Sequence, residues 1–168
     1  TNNQVEKDFE NINQMAEKGK IRRAVCVDEI ISEIFTVLLR HDYNNVMLIG
    51  GNSSGKTTIA RHIANLIVER NVPLKLKNRM LINIDILKKY ANLVADPKTY
   101  PHLIKTIFNA DKLNKYIFLI DNIGDNLLYF DYRRVMEICT LSTDIPLICT
   151  SSESYFNKFS ASTPNLAA

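Results

Sequence analysis

The sequence has 168 residues, of which 46% are hydrophobic and 23% charged, and its formal net charge is +3. This is the composition of an ordinary globular domain, and it argues against a disordered chain. No apolar run approaches the roughly 20 residues that a membrane span needs, so we expect no membrane span. The small net charge and the scattered basic residues give no indication of nucleic-acid binding.

The three cysteines, Cys26, Cys139 and Cys149, are too far apart to follow the spacing of a metal site. An odd number of scattered cysteines is typical of buried, reduced thiols. The first 20 residues are polar and do not form a signal peptide. We therefore expect a reducing compartment, either the cytoplasm or an organelle matrix.

In chain order, the apolar pattern predicts alternating helices and strands. Residues 4–18 predict an N-terminal or linker helix, and Asp28 is expected to cap a helix that ends near Arg40. The remaining predicted elements are strands at 46–49, 81–85, 116–121 and 147–151 and helices at 59–70, 86–94, 102–109 and 131–141.

This order predicts a three-layer α/β domain, with a parallel sheet and helices on both faces. The predicted division is a linker at 1–19, a single domain at 20–159 and a flexible tail at 160–168.

A glycine-punctuated loop follows the first predicted strand, and it reads Gly50-Gly51-Asn52-Ser53-Ser54-Gly55-Lys56-Thr57-Thr58. It matches the phosphate-loop pattern G-x-x-x-x-G-K-[ST] between a strand and a helix. The two fixed glycines allow N–H groups to converge on a polyphosphate, and the next helix directs its positive end there. Lys56 is expected to reach the β- and γ-phosphates, and the Thr57 hydroxyl to help hold Mg²⁺. The alternative is a strand-to-helix turn that holds no ligand.

Asp121 ends the most continuously apolar strand, and we expect it at the same sheet edge as a ligand of Mg²⁺. The alternative is an acidic residue that only begins a loop. Asn122 follows, where hydrolysis would need a carboxylate, and an amide cannot accept the proton of the attacking water. Asp125 is expected to lie too far away to replace it. Ser151, at the end of the last strand, is expected to contact the γ-phosphate as a polar sensor.

The chain resembles the first AAA+ module of the Clp/heat-shock-100 unfoldases (the ClpA, ClpB, ClpC and ClpV group). The resemblance extends from about Asn13 to Phe159 and includes order and spacing. It rests on three stretches: Asn13–Lys20 followed by Asp28-Glu29, Asn44–Gly50, and Asn71–Lys77 followed by Leu81–Asp85.

The resemblance implies a P-loop NTPase of the AAA+ class (its large subdomain) that uses ATP and Mg²⁺. Residues 50–58 would then be Walker A, Asp121 the Walker B acid and Ser151 sensor 1, with Ala24 and Val25 against the adenine. It also implies a hexameric ring with other AAA+ subunits, and protein substrates or adaptors as partners.

Several positions depart from the family pattern. Asn122 replaces the catalytic Glu, and Cys26-Val27 replaces Gly-Arg in the adenine loop. Asp96-Pro97 falls near the pore-loop aromatic, although gaps in the alignment would leave Tyr90 or Tyr100 in that role. The paired Arg fingers would fall at Ala167-Ala168, and there is no room for the lid subdomain. We therefore expect either a piece of a longer protein or a protein that has lost these parts.

Three functions are compatible with these residues. The first is a module that binds ATP·Mg²⁺, hydrolyses it poorly and serves as a nucleotide-gated structural or regulatory subunit. The second is a module of an active chaperone or secretion-associated unfoldase. The third is another phosphate-loop enzyme such as a small-molecule kinase, which the resemblance at 71–85 disfavours.

Overall fold

The computed structural model describes residues 3–41, 44–51, 55–85, 114–122 and 146–162. The helices predicted at 86–94, 102–109 and 131–141 lie outside these ranges, as do Tyr90, Tyr100 and the segment at 96–97.

A five-stranded sheet forms the centre of the described part. Its strands are β1 (Glu10–Asn11), β2 (Asn45–Gly50), β3 (Met80–Asn83), β4 (Tyr116–Ile120) and β5 (Leu147–Ser152). Their order across the sheet is β1-β3-β4-β5-β2. The pairs β3–β4, β4–β5 and β5–β2 are parallel, and β1 is antiparallel to β3. The prediction of a parallel sheet is therefore confirmed for four strands, with an antiparallel strand added at one edge.

Strand β4 is buried along its whole length. Ile117 and Leu119 pack in the main core, while Phe118, which points to the opposite face, is also fully buried. A strand that is apolar on both faces belongs in the interior of a sheet, and β4 lies between β3 and β5.

The described helices are α1 (Asn3–Asp8), α2 (Ile12–Glu17), α3 (Asp28–Leu38), α4 (Lys56–Val68) and α5 (Glu153–Ser162), with a 3₁₀ turn at Leu74–Leu76. Helices α2, α3 and α4 contribute to one apolar core against the sheet. Its members include Ile12, Ala16, Ile31, Ile34, Phe35, Ile63, Ile67, Leu81, Ile117, Leu119 and Ile148. No helix of the described residues is both long enough and apolar enough to cross a membrane.

The continuous helix predicted over 4–18 is wrong, because α1 and α2 are separated by β1. The Asn11 side chain accepts a hydrogen bond from the backbone N–H of Asn13 and so caps α2. Glu10 and Asn11 pair with Asn83 and Ile82 of β3. The interruption is thus imposed by pairing with a strand far along the chain.

Helix α2, in the segment predicted as an N-terminal helix or linker at 1–19, contributes Ile12 and Ala16 to the apolar core. The buried Asn13 amide donates to the carbonyl of Arg79 at 3.0 Å, and its oxygen accepts from the N–H of Leu81 at 3.1 Å. Tyr116 of β4 donates its hydroxyl to Glu6 at 3.0 Å. The pKa of Tyr116 is raised to about 12, mainly by burial and to a smaller extent by this hydrogen bond.

Three smaller predictions are also corrected. Val27 occupies the N-cap position of α3, so Asp28 lies inside the first turn, where its charge still favours the helix dipole. Cys26 is exposed, whereas Cys149 is buried as expected, and Cys139 lies outside the described residues. Helix α5 continues through Ser162, so it includes the first residues of the segment predicted as a flexible tail.

Candidate functional site

The carboxyl ends of three parallel strands meet at one edge of the sheet. Strand β5 lies between β4 and β2, and Ile49 of β2 pairs with Ser151 of β5. The residues that follow β2 and β4, together with the last residues of β5, therefore converge. This is the edge at which open α/β sheets bind ligands.

Gly55 connects β2 to helix α4 with a left-handed backbone. Its φ of +80° is a conformation that side chains with a Cβ rarely adopt, which explains why a glycine stands before Lys56. Helix α4 begins at Lys56 and directs its unpaired N–H groups to the sheet edge. Residues 52–54 of the loop lie outside the described part.

The Lys56 ammonium lies over its own loop. Its Nζ donates to the carbonyl oxygens of Gly50 and Gly51, each at 2.9 Å. An ammonium has three donors, so it can hold the loop and still offer a bond to an anionic ligand. The predicted phosphate-binding lysine is therefore positioned at the loop that it was expected to serve.

Thr57 and Asp121, the two predicted metal ligands, are in direct contact. The Thr57 hydroxyl donates to Oδ1 of Asp121 at 2.9 Å. A hydroxyl and a carboxylate are hard oxygen donors of the kind that Mg²⁺ prefers, and Mg²⁺ is usually held by few side chains together with substrate phosphates. The chemistry of this donor pair fits the predicted ion.

Thr150 is a site residue that the sequence prediction missed. Its hydroxyl donates to Oδ1 of Asp121 and accepts the backbone N–H of Asn122 at 2.7 Å. The register of β4 and β5 could have indicated it. Ile120 pairs with Cys149, so the residues that follow them, Asp121 and Thr150, lie next to each other. That register could not be read from either strand alone.

Asn122, predicted at the degenerate catalytic position, lies directly after Asp121 and is exposed. Its φ is +54°, in the left-handed region. Asn is one of the few residues with a Cβ that adopt this conformation readily. The structure thus brings the amide to the expected edge on a backbone that suits Asn better than Glu.

Ser151, the predicted sensor, is 1% exposed, and its hydroxyl donates to the carbonyl of Ser152 at 3.0 Å. The hydroxyl of Ser152 accepts the N–H of Tyr155 at 3.2 Å in the first turn of α5. Thr58 is half-buried in the first turn of α4. The roles assigned to Ser151 and Thr58 stay predictions.

Ala24 and Val25, the predicted adenine contacts, lie in the loop between α2 and α3. The aliphatic side chain of Val25 is 79% exposed. Cys26 has a φ of +58°, so the backbone is left-handed at the position where the resemblance drawn from the sequence implies Gly. The loop therefore keeps a glycine-like path without a glycine.

Helix α4 anchors this loop through polar contacts. Arg23 forms an ion pair with Glu69, and the hydrogen bond from Arg23 lowers the pKa of Glu69. The Asn65 amide donates to the carbonyl of Ile21 at 3.2 Å and lies 3.1 Å from Nδ1 of His62. Burial lowers the pKa of His62. A neutral His62 can accept the Asn65 hydrogen bond at Nδ1.

Comparison with models of known protein families finds no match. Among curated proteins, the chain is 31% identical over 115 residues to the ATP-dependent Clp protease ATP-binding subunit ClpE of Lactococcus lactis, covering 68% of this chain. It is 31% identical over 124 residues to the chaperone protein ClpB of Bacteroides thetaiotaomicron, covering 72% of this chain. The matched part is 15% and 13%, respectively, of the length of those relatives.

Among solved structures, the fold resembles Hsp104 determined with ATPγS and casein, with a TM-score of 0.76 and 18% identity over 96% of this chain and 28% of that one. It also resembles the S. cerevisiae Hsp104–ADP complex, with a TM-score of 0.73 and 19% identity over 97% of this chain and 24% of that one. At this identity, the likeness concerns the fold.

The mostly parallel sheet, with a lysine-bearing loop after β2, has the α/β fold of the AAA+ domain of Hsp104, as predicted. With the sequence relatives, the assignment becomes narrower. The chain belongs to the AAA+ modules of the Clp/heat-shock-100 family, which confirms the resemblance drawn from the sequence.

Proposed function

We propose that this module binds ATP with Mg²⁺, hydrolyses it slowly and acts as a nucleotide-gated structural or regulatory part of a ring. The observation that carries the proposal is the arrangement at one sheet edge: Lys56 on its loop, the Thr57–Asp121 contact, and Asn122 directly after the acid. The first three residues bind the ligand, and the fourth limits its reaction.

Binding is supported by charge and geometry. Lys56 is held at its loop by two carbonyl oxygens, and an ammonium forms stronger, charge-assisted bonds with phosphate oxygens. The N-terminal end of α4 adds N–H donors and a favourable dipole. Thr57 and Asp121 would hold the ion, and bound Mg²⁺ would neutralise phosphate charge. Ala24 and Val25 are proposed to contact the adenine.

Slow turnover follows from the side chain of Asn122. General-base catalysis is typically worth about 10²–10⁴ in rate. An amide can orient a water molecule through hydrogen bonds, but it has no oxygen that is basic at neutral pH. Ser151 is proposed as the sensor residue, and its contribution to turnover would be secondary to this loss.

The direct test is equilibrium binding of fluorescently labelled ATP in the presence of Mg²⁺. The unaltered protein should bind, and Lys56→Ala should lose most of that affinity because the loop then lacks its cation. Lys75→Ala is the matched control, since Lys75 is exposed on the 3₁₀ turn. Equal binding by Lys56→Ala and the unaltered protein would reject the proposal.

The alternative is a module of an active unfoldase, which acts with partner subunits on protein substrates. Its support comes from the sequence relatives, which are a chaperone and an ATP-binding subunit of a protease. The two candidates differ in phosphate release by the purified protein, which should be nearly absent in the first and fast in the second. ATP-dependent threading of a tagged substrate by a longer parent protein would also favour the second. A ring of AAA+ subunits and a reducing compartment are part of both proposals.

A further inference from the structure

Thr150 carries a buried hydroxyl in β5, directly after the apolar residues Leu147 to Cys149. Its exposed fraction is 0%, and Ile148 and Cys149 before it are also buried. Burying a hydroxyl in a strand is unfavourable unless its hydrogen bonds are made. An explanation for Thr at this position therefore has to come from its partners.

The hydroxyl of Thr150 uses both its donor and an acceptor site. The hydroxyl donates a hydrogen bond to Oδ1 of Asp121, and its oxygen accepts a hydrogen bond from the N–H of Asn122. The same Asp121 oxygen accepts a hydrogen bond from the hydroxyl of Thr57. Thr150 therefore touches the acid that would hold the ion and the backbone of the residue that follows it.

These contacts fix two degrees of freedom at the end of β4. Two hydroxyl donors converging on one oxygen restrict the rotation of the Asp121 carboxylate. The bond to the N–H of Asn122 fixes the start of a left-handed turn, where φ is +54°. Groups that hydrogen-bond to a metal ligand orient it and tune its affinity for the ion.

We propose that Thr150 is a positioning residue for the magnesium acid. It orients the Asp121 carboxylate toward Thr57 and holds the backbone turn at Asn122, and it does so without touching the nucleotide. This inference rests on the proposed function, because it concerns the Mg²⁺-dependent part of nucleotide binding.

The test measures the affinity for labelled ATP twice, with excess Mg²⁺ and with EDTA. Thr150→Val removes the hydroxyl at nearly constant volume. It should weaken binding about tenfold with Mg²⁺, the lower end of the effect of losing a partner of a metal ligand. Binding in EDTA should be unchanged. Thr150→Ser keeps the hydroxyl and should keep the dependence on Mg²⁺.

Thr36→Val serves as the matched control. Thr36 is exposed on α3, and its hydroxyl bonds only to the Ser32 carbonyl among the contacts described, so both affinities should be unchanged. Should Thr150→Val fail to fold by circular dichroism, Thr150→Ala is measured against Thr150→Ser by the same criterion.

The possible failures are distinguishable. An unaltered protein that binds no nucleotide in either buffer rejects both the proposed function and the role of Thr150. A protein that binds, but whose Thr150→Val variant keeps the full effect of Mg²⁺ or weakens equally in both buffers, rejects the positioning role alone. In that case the hydroxyl would serve only the fold.

Discussion

The Thr57 hydroxyl and the Asp121 carboxylate are 2.9 Å apart, although 64 positions separate them in the chain. Thr57 lies in the first turn of α4, and Asp121 follows the last residue of β4. Because β4 and β2 run in the same direction in the sheet, the residue that follows β4 lies near the beginning of α4, the helix that follows β2.

Asn122→Glu should raise ATP turnover, because it places a proton acceptor beside Asp121. We expect a gain at the lower end of the range of about 10²–10⁴ for general-base catalysis. The left-handed φ of +54° is unfavourable for Glu, so the free energy of unfolding should also fall, by about 1 kcal/mol. Phosphate release and urea denaturation measure the two effects.

Asn122→Gln is the control for that experiment, since Gln has the length of Glu but no basic oxygen. It should show the loss of stability without the gain in turnover. An unchanged rate in Asn122→Glu would mean that the catalytic defect lies in another residue.

Cys26→Gly should stabilise the protein by about 0.5–1 kcal/mol. Glycine relieves the left-handed backbone at φ +58°, worth about 1–2 kcal/mol, and part of this gain is offset by the greater entropy of the unfolded chain. Cys26→Ala keeps the Cβ and removes only the thiol of an exposed residue, so it should have little effect. Urea denaturation under reducing conditions compares the three proteins, and equal stability of the two variants would contradict this account.

Asn13→Ala should lower the free energy of unfolding by about 1–3 kcal/mol. It leaves the buried N–H of Leu81 without the side-chain oxygen that it bonds, and a buried unsatisfied group costs about 1–3 kcal/mol. The hydrogen bond to the Arg79 carbonyl is lost as well. The neighbouring Gln14 is exposed, so Gln14→Ala should change stability by less than about 0.5 kcal/mol. Similar results for the two variants would show that α2 is not part of the cooperative core.

Because of His62, we expect the free energy of unfolding to decrease in acid. Burial lowers its pKa in the folded protein, and Arg23 lowers it further, while Glu69 and Asp28 act in the opposite direction. Below the ordinary histidine pKa of about 6.5, the unfolded chain therefore binds a proton more readily than the folded one. Stability should fall as the pH decreases from about 6.5 toward the lowered value, and then level off for this group.

His62→Gln isolates that contribution, because Gln stays neutral and retains an acceptor for Asn65. Denaturation of both proteins between pH 8 and pH 5 should give a shallower loss for the variant. Parallel curves would exclude His62 as a source of the acid sensitivity.

The sequence was sufficient to predict the four parallel strands, because apolar runs bounded by polar residues mark them clearly. The positions of Lys56 and Asp121 at one edge of the sheet were equally predictable, since they follow from strand ends, while their roles stay predictions. The break between α1 and α2 was not, because Val5, Phe9, Ile12 and Ala16 fit one helical face. Pairing with β3, which is distant in sequence, decides against that local pattern.

Features that depend on backbone conformation or strand register were also missed. The positive φ values of Cys26 and Asn122 were not predicted, although Asn adopts this conformation readily and Cys26 stands where the resemblance implies Gly. Thr150 lies in a run of small and polar residues, and only the pairing of Ile120 with Cys149 shows that Thr150 faces Asp121. Backbone conformation and strand register of this kind are set by contacts between segments that are distant in sequence.

The two-residue strand β1 bonds to Ile82 and Asn83 on the outer side of β3. A bare strand edge offers N–H and C=O groups to any passing chain and so favours aggregation. The short Glu10–Asn11 strand pairs with that edge of β3, and we therefore expect the N-terminal residues to limit edge-to-edge association. Removing these residues would leave the outer edge of β3 unpaired, even if the loop of Lys56 stayed intact.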